Sequence, residues 1–249
     1  MSTRAGTVTN HARDLARKAN IAVQRRTWGR RVNSWDHADS PGLDRVVEAV
    51  LDRVPQGRLG TVVDIGAGTG RLTLPLAERS ERTIAVDVSA AMLDRLSERA
   101  AVSGLSTVET SATPAEQLDF EAGSVDLVVS NYALHHLRDA DKAALVKAAA
   151  QWLKPGGLIV IGDMMFGRGG SSRDREIIAG KALAMLRKGP AGWWRIAKNA
   201  GRFLFRVQER PVSPETWVSM LRSAGLTDVV STPVVAEAAV VSGRRPEGA

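Results

Sequence analysis

Residues 62–77 read VVDIGAGTGRLTLPLA. The run Val62–Ile65 is short and mostly β-branched, the composition of a buried strand. Asp64 stands at its end, and Gly66, Gly68 and Gly70 follow at alternate positions before a stretch with helical spacing. Glycines are needed at such a strand-to-helix junction where a ligand lies against the backbone, because a Cβ there would hold it away. A dinucleotide-binding loop spaces its glycines as G-x-G-x-x-G. Here the third glycine arrives one residue early, and Asp64 directly before the loop would repel a pyrophosphate. The same carboxylate favours a ligand with a positive amino or sulfonium group.

Outward from this loop, strands and helices alternate. Before it, SPGLDRVVEAVLDRV (40–54) has Ser40 as N-cap, Pro41 at the first helical position and Leu43, Val46, Val47, Val50, Leu51 and Val54 at helical spacing. After it, RLTLPLAERS (71–80) predicts a helix and TIAVDV (83–88) a second strand ending at Asp87. A helix capped by Ser89 and stopped by Gly104 comes next. STVET (106–110) and SVDLVVS (124–130) predict the third and fourth strands. An alanine-rich helix closed by KPGG then leads into a fifth, LIVIGDM (158–164). SPETWVSMLRSAGL is a further capped helix. TDVVST and VVAEAAVVSGR, divided at Pro233, are close enough in sequence to pair only as an antiparallel hairpin. The pattern predicts an α/β, doubly wound, Rossmann-like seven-stranded sheet, mostly parallel and finished by an antiparallel C-terminal pair. Ligands of such sheets bind at the carboxyl ends of the strands, where Asp64, Asp87, Ser130–Asn131 and Asp163 fall.

At this point the chain resembles the class I S-adenosylmethionine-dependent methyltransferases, over roughly residues 40–166 and 211–243. VVDIGAGTG is similar to that family's first motif and IAVDVSAAML to the second. PAEQLDF and SVDLVVSNYALHHL resemble its adenine loop and fourth strand, WLKPGGLIVIGD the approach to the fifth, and AGLTDVVSTPVVAEAAVVSGRR its closing hairpin. The resemblance implies S-adenosyl-L-methionine as cofactor and S-adenosyl-L-homocysteine as product. It places Asp64 and the loop Gly66, Ala67, Gly68 and Gly70 at the methionine part, and Asp87 at the ribose. Val88 and Met92 would lie beside the adenine, Ala115 and Glu116 at its edge, and Asn131 under the sulfonium. Relatives often carry an Asp immediately before the alanine of the adenine loop; here that position is Pro114. The alternatives are a nicotinamide-dependent oxidoreductase and a fold kept for binding alone.

Two of the four histidines, His135 and His136, adjoin at the end of the fourth strand, three residues after the one tyrosine, Tyr132. Neighbouring residues on a helix point about 100° apart, whereas metal-binding helical pairs are spaced i,i+4, so no metal is expected. Histidine titrates near neutrality, and either ring is a candidate general base. The Asn131–Tyr132 step lacks the prolines of the NPPY pattern found in methylases of nucleic-acid bases.

The charge is divided. Overall it is +7, but residues 1–31 hold eight Lys/Arg against one acid and residues 167–210 hold eleven against three, which leaves an acidic remainder. Basic attachments suit anionic partners or simply a solvated face. In GWWRIAKNAGRFLFRV (192–207), Trp193, Ile196, Ala197, Ala200, Phe203, Leu204 and Val207 share one helical face, opposite Arg195, Lys198, Arg202 and Arg206. This reads as an amphipathic cap over the site or a peripheral membrane contact, and both suit a small hydrophobic or lipid-like substrate. Nucleic acid is disfavoured, because the aromatics do not interleave with the arginines. The expected organisation is a basic N-terminal helical arm or lid (1–39), a cofactor-binding core (40–166), a basic helical cap (167–212), and a last helix with the closing hairpin (213–249). Trp28, Trp35, His37, Tyr132 and Trp193 are the candidate substrate contacts. The absence of cysteine removes disulfides and thiol chemistry without assigning a redox compartment; with no apolar leader at the N-terminus and no long apolar run, the expected location is cytoplasmic.

Overall fold

The computed structural model describes residues 4–32, 41–167, 174–176, 179, 180, 183 and 209–248. The chain order is α1 (Arg4–Gly29), α2 (Pro41–Leu51), β1 (Leu59–Ile65), α3 (Thr73–Ala77), β2 (Ser80–Val86), α4 (Ala90–Val102), β3 (Val108–Ser111), β4 (Val125–Asn131), α5 (Asp139–Trp152), β5 (Leu153–Met164), α6 (Pro214–Ser223), β6 (Thr227–Val235) and β7 (Ala238–Arg244). Ser40, Trp35, His37, Trp193 and the amphipathic stretch 192–207 lie outside the described residues.

The seven strands order as β3-β2-β1-β4-β5-β7-β6. β1 to β5 run parallel, and β7 enters antiparallel between β5 and β6. Side chains alternate across the sheet, so each central strand serves two cores. Val63, Val128, Ile159 and Ile161 pack on one face with Leu145, Val146 and Trp152 of α5 and Trp217 of α6. Val62, Leu127, Val129 and Val160 pack on the other with Val46 and Val50 of α2 and with Leu72 and Leu76. Each such fully buried side chain contributes about 1.5–3 kcal/mol of transfer free energy. Strand order reverses between β1 and β4, which opens a crevice at their carboxyl ends.

Two of the expected caps are present, at Ser89 and Ser213. Ser89 accepts from the Met92 amide, and Ser213, followed by Pro214, accepts from Thr216. Three local expectations are corrected. Residues 71–80 are helical only over Thr73–Ala77, because β2 already begins at Ser80, where Leu59 and Ser80 are in register. The KPGG stretch does not merely close α5: it belongs to β5, and the register with β4 shifts between the Val125–Leu153 and Leu127–Leu158 pairs. The hairpin does not turn at Pro233. β6 continues through it, paired with Ala239, and the turn falls at Ala236–Glu237. Proline is tolerated there because β6 is the outermost strand and its missing N–H need not serve a neighbour.

Candidate functional site

The loop after β1 is fastened to β2 by the amides of Gly66 and Ala67, both donating to the Val86 carbonyl at 2.8 and 2.9 Å. Gly66, Gly68 and Gly70 all adopt positive φ (79°, 54° and 94°). At Gly66 a Cβ would overlap the Cβ of Ala133, which brings the loop against the segment after β4. At Gly70 it would come within 3.1 Å of Leu74 and Leu96, so that glycine serves internal packing.

Three carboxylates line the same cavity as the loop. Asp64, almost fully buried, accepts from the Thr73 hydroxyl at 2.6 Å. Burial pushes its carboxyl up to about 7; the Thr73 hydrogen bond opposes this and the neighbouring Asp87 adds to it. Asp87 lies one residue beyond β2. Its two oxygens accept from the Gly68 amide at 2.9 Å and the Ser89 amide at 2.8 Å. Burial raises its pKa, against those backbone hydrogen bonds. Glu116, in the short 3₁₀ turn Ala115–Gln117, is also raised, chiefly by burial.

These groups line one cavity at the carboxyl ends of β1, β2 and β4. Its walls include Asp64, Gly66, Ala67, Gly68, Asp87, Val88, Met92, Pro114, Ala115, Glu116, Asn131 and Tyr132. Of the residues expected at the cofactor, Gly70 alone is not in the lining. The Asn131 Oδ1 is buried without a hydrogen-bond partner. Tyr132 lines the cavity from a left-handed backbone conformation (φ 49°), and burial raises its phenol pKa.

The histidine pair divides. His136 lines the cavity, with Trp28 of α1 edge-on to its ring at 5.6 Å between centroids. His135 is buried behind it, outside the lining. The His135 ring Nδ1 lies 2.5 Å from one oxygen of Asp163, and its backbone amide donates to the other at 2.8 Å.

The α1 helix supplies the remaining wall through Asn20, Ile21, Gln24 and Trp28. It is held by Arg17, which donates to the buried Asp141 of α5 at 2.7 Å, and by Asn20, which donates to the His136 carbonyl at 3.4 Å. Asn20, Gln24 and Thr73 had no site role in the sequence reading, and Asp163 had only its place at the end of a strand. The i,i+4,i+8 spacing of Asn20, Gln24 and Trp28 was the available signal for α1. Nothing local marked the Asp163–His135 pair, whose members are 28 residues apart. Among the described residues no cluster of three or more His, Asp or Glu is placed to hold a metal ion, and no helix is long and apolar enough to cross a membrane.

Residues 62–157 match the family model of a methyltransferase domain. The chain is 34% identical to an uncharacterized methyltransferase of Geobacillus kaustophilus over 54% of its own length and 56% of the relative's. It is 37% identical to a dimethylglycine N-methyltransferase of Parasynechococcus marenigrum over 52% of its length and 47% of that protein's. It thus spans about half the length of these relatives. Among solved structures, the DhpI-SAM-HEP complex superposes with a TM-score of 0.64 at 19% identity, covering 90% of this chain and 97% of that one, a likeness of fold. The glycine loop, the post-β2 aspartate and the fourth strand all fall within the matched residues 62–157, so this part of the chain carries a methyltransferase domain.

Proposed function

We propose that this chain transfers a methyl group from S-adenosylmethionine to a small molecule with a hydrophobic part. The observation that carries the reading is the make-up of the cavity at the carboxyl ends of the strands. One part is a glycine cradle with the carboxylates Asp64 and Asp87, and the rest is walled by Ile21, Trp28, Leu43, Tyr132, Leu134 and His136. The residues fit the cofactor. Asp64 and Asp87 supply acceptors for its ammonium and ribose hydroxyls, and the unpartnered Asn131 Oδ1 calls for a donor or a positive group beside it. Bound there, the cofactor supplies a methyl group on a cationic sulfur and leaves as S-adenosylhomocysteine. The protein's own task is to align the acceptor atom and exclude water, which supplies roughly 7–11 kcal/mol of barrier reduction. His136, at the cavity wall, removes the acceptor's proton where it carries one, worth about 10²–10⁴-fold.

An amphiphilic substrate is supported by the apolar walls and by the sequence of 192–207. Lys18, Arg25 and Arg26 of α1, and Arg30 and Arg31 in the turn after it, are all exposed, a group suited to an anionic surface. The test is labelled S-adenosylmethionine incubated with separate lipid, small-molecule and RNA extracts, beside calorimetry with S-adenosylhomocysteine and NADH. Label in a lipid or small-molecule fraction and binding of S-adenosylhomocysteine are expected. Binding of NADH alone, or label in RNA alone, refutes the reading.

A further inference from the structure

We infer that Asp163 and His135 form a buried positioning pair that supports His136 as the proton acceptor, so that His135 is not itself the base. The inference rests on the proposed methyl transfer and deepens it. Asp163, the penultimate residue of β5, has no solvent exposure, and three donors converge on it. These are the His135 amide at 2.8 Å, the His135 ring at 2.5 Å and the Met164 amide at 2.7 Å. Two of these bonds come from one residue, so both the backbone and the ring of His135 are fixed by β5. A carboxylate facing Nδ1 selects the tautomer with the proton on Nδ1.

The His135 ring then lies against that of His136, 4.0 Å between centroids and tilted by 51°. Trp28 also meets the His136 ring in an edge contact, 5.6 Å between centroids. Both histidines belong to one 3₁₀ turn, Leu134–His136, and the Arg210 amide donates to the His135 carbonyl at 2.6 Å. His136 is thus the ring that meets the cavity, and His135 is the ring through which β5 orients it. The proton balance is simple. The acceptor's X–H bond breaks, its proton goes to a ring nitrogen of His136, and the X–CH₃ bond forms as the sulfur–methyl bond breaks. The proton on His136 is later lost to water. The His135 proton stays on Nδ1, facing Asp163, throughout.

The test uses the full chain, with Asp163→Asn as the probe. With the amide oxygen kept for the His135 backbone N–H, the N–H₂ takes the place of Oδ1, where it faces both Nδ1 and the Met164 amide and disfavours the Nδ1–H tautomer. In ¹⁵N spectra, His135 should carry its proton on Nδ1 in the native chain and on Nε2 in the variant. Only four histidines need assignment. With S-adenosylmethionine and the accepting extract, kcat should fall at least tenfold, within the range a general base supplies. KM for S-adenosylmethionine and affinity for S-adenosylhomocysteine should stay within about twofold. Should Asp163→Asn not fold, His135→Asn keeps an amide N–H donor for Asp163 and removes the ring, with the same kcat loss expected. Native kcat in either folded variant, or Nε2–H on His135 in the native chain, overturns the inference. His136→Ala separates the two levels: full turnover there refutes the base reading itself, whereas its loss beside an unaffected Asp163→Asn refutes only the positioning pair.

Discussion

Gly66→Ala probes the shared space between the glycine loop and the histidine turn. Gly66 has a φ of 79°, and a Cβ there would overlap that of Ala133. The left-handed backbone costs an alanine about 1–2 kcal/mol. The overlap forces one segment to move, at about 1–3 kcal/mol more. The single variant should therefore lose about 2–5 kcal/mol, a large share of the roughly 5–15 kcal/mol typical of a domain. Ala133→Gly removes the opposing methyl. Ala133 has a φ of −124°, so glycine there brings only the ordinary entropic loss of about 0.4–1 kcal/mol. In the double variant the backbone term remains and the overlap disappears, which gives a favourable coupling of about 1–3 kcal/mol. Urea unfolding of the four proteins at one pH measures the cycle. A Gly66→Ala cost below about 1 kcal/mol, or additivity within about 0.5 kcal/mol, refutes the reasoning.

Other perturbations address the charges. The Asp64 carboxyl is raised from 3.8 to about 7 in the folded chain, so its ionisation opposes folding. Stability is undiminished below the unfolded value and falls as pH rises toward 7, by on the order of 4 kcal/mol at full ionisation. Calorimetric melting at pH 5 and pH 8 should show the native chain losing stability relative to Asp64→Asn, and parallel curves would contradict this. Asp87→Ala removes the acceptor of the Gly68 and Ser89 amides as well as that proposed for the ribose. It should weaken S-adenosylhomocysteine binding about 10–100-fold by titration calorimetry, at the usual strength of charge-assisted hydrogen bonds. Asp141→Asn loosens the anchor shared by Arg17 and Arg138, at about 1–3 kcal/mol. Trypsin should then cut α1 at Arg25 or Arg26 about 5–100-fold faster, and an unchanged cleavage rate would show that α1 is held elsewhere.

Much of the frame was legible because its signals are local. Val62–Ile65, the alternate glycines, Ser89 before its helix and Ser213–Pro214 before the last one each act within a few residues. Local rules misled where pairing partners decide the outcome. Pro233 looked like a break, yet on an edge strand its missing N–H matters little, so β6 runs through it. Residues 71–80 looked helical throughout, but β2 claims Ser80.

The amino-acid sequence by itself determined the order of strands and helices, the ligand loop with Asp64 and Asp87, and the family likeness, because periodicity, capping and glycine spacing are properties of neighbours along the chain. Only the tertiary structure decided which histidine meets the cavity and which is tied to Asp163, because that depends on β4 and β5 lying in register. It alone brought Arg17 to Asp141, 124 residues away. Such pairs are chosen by where packed elements cross, and the energy that fixes them comes from burial of the whole sheet.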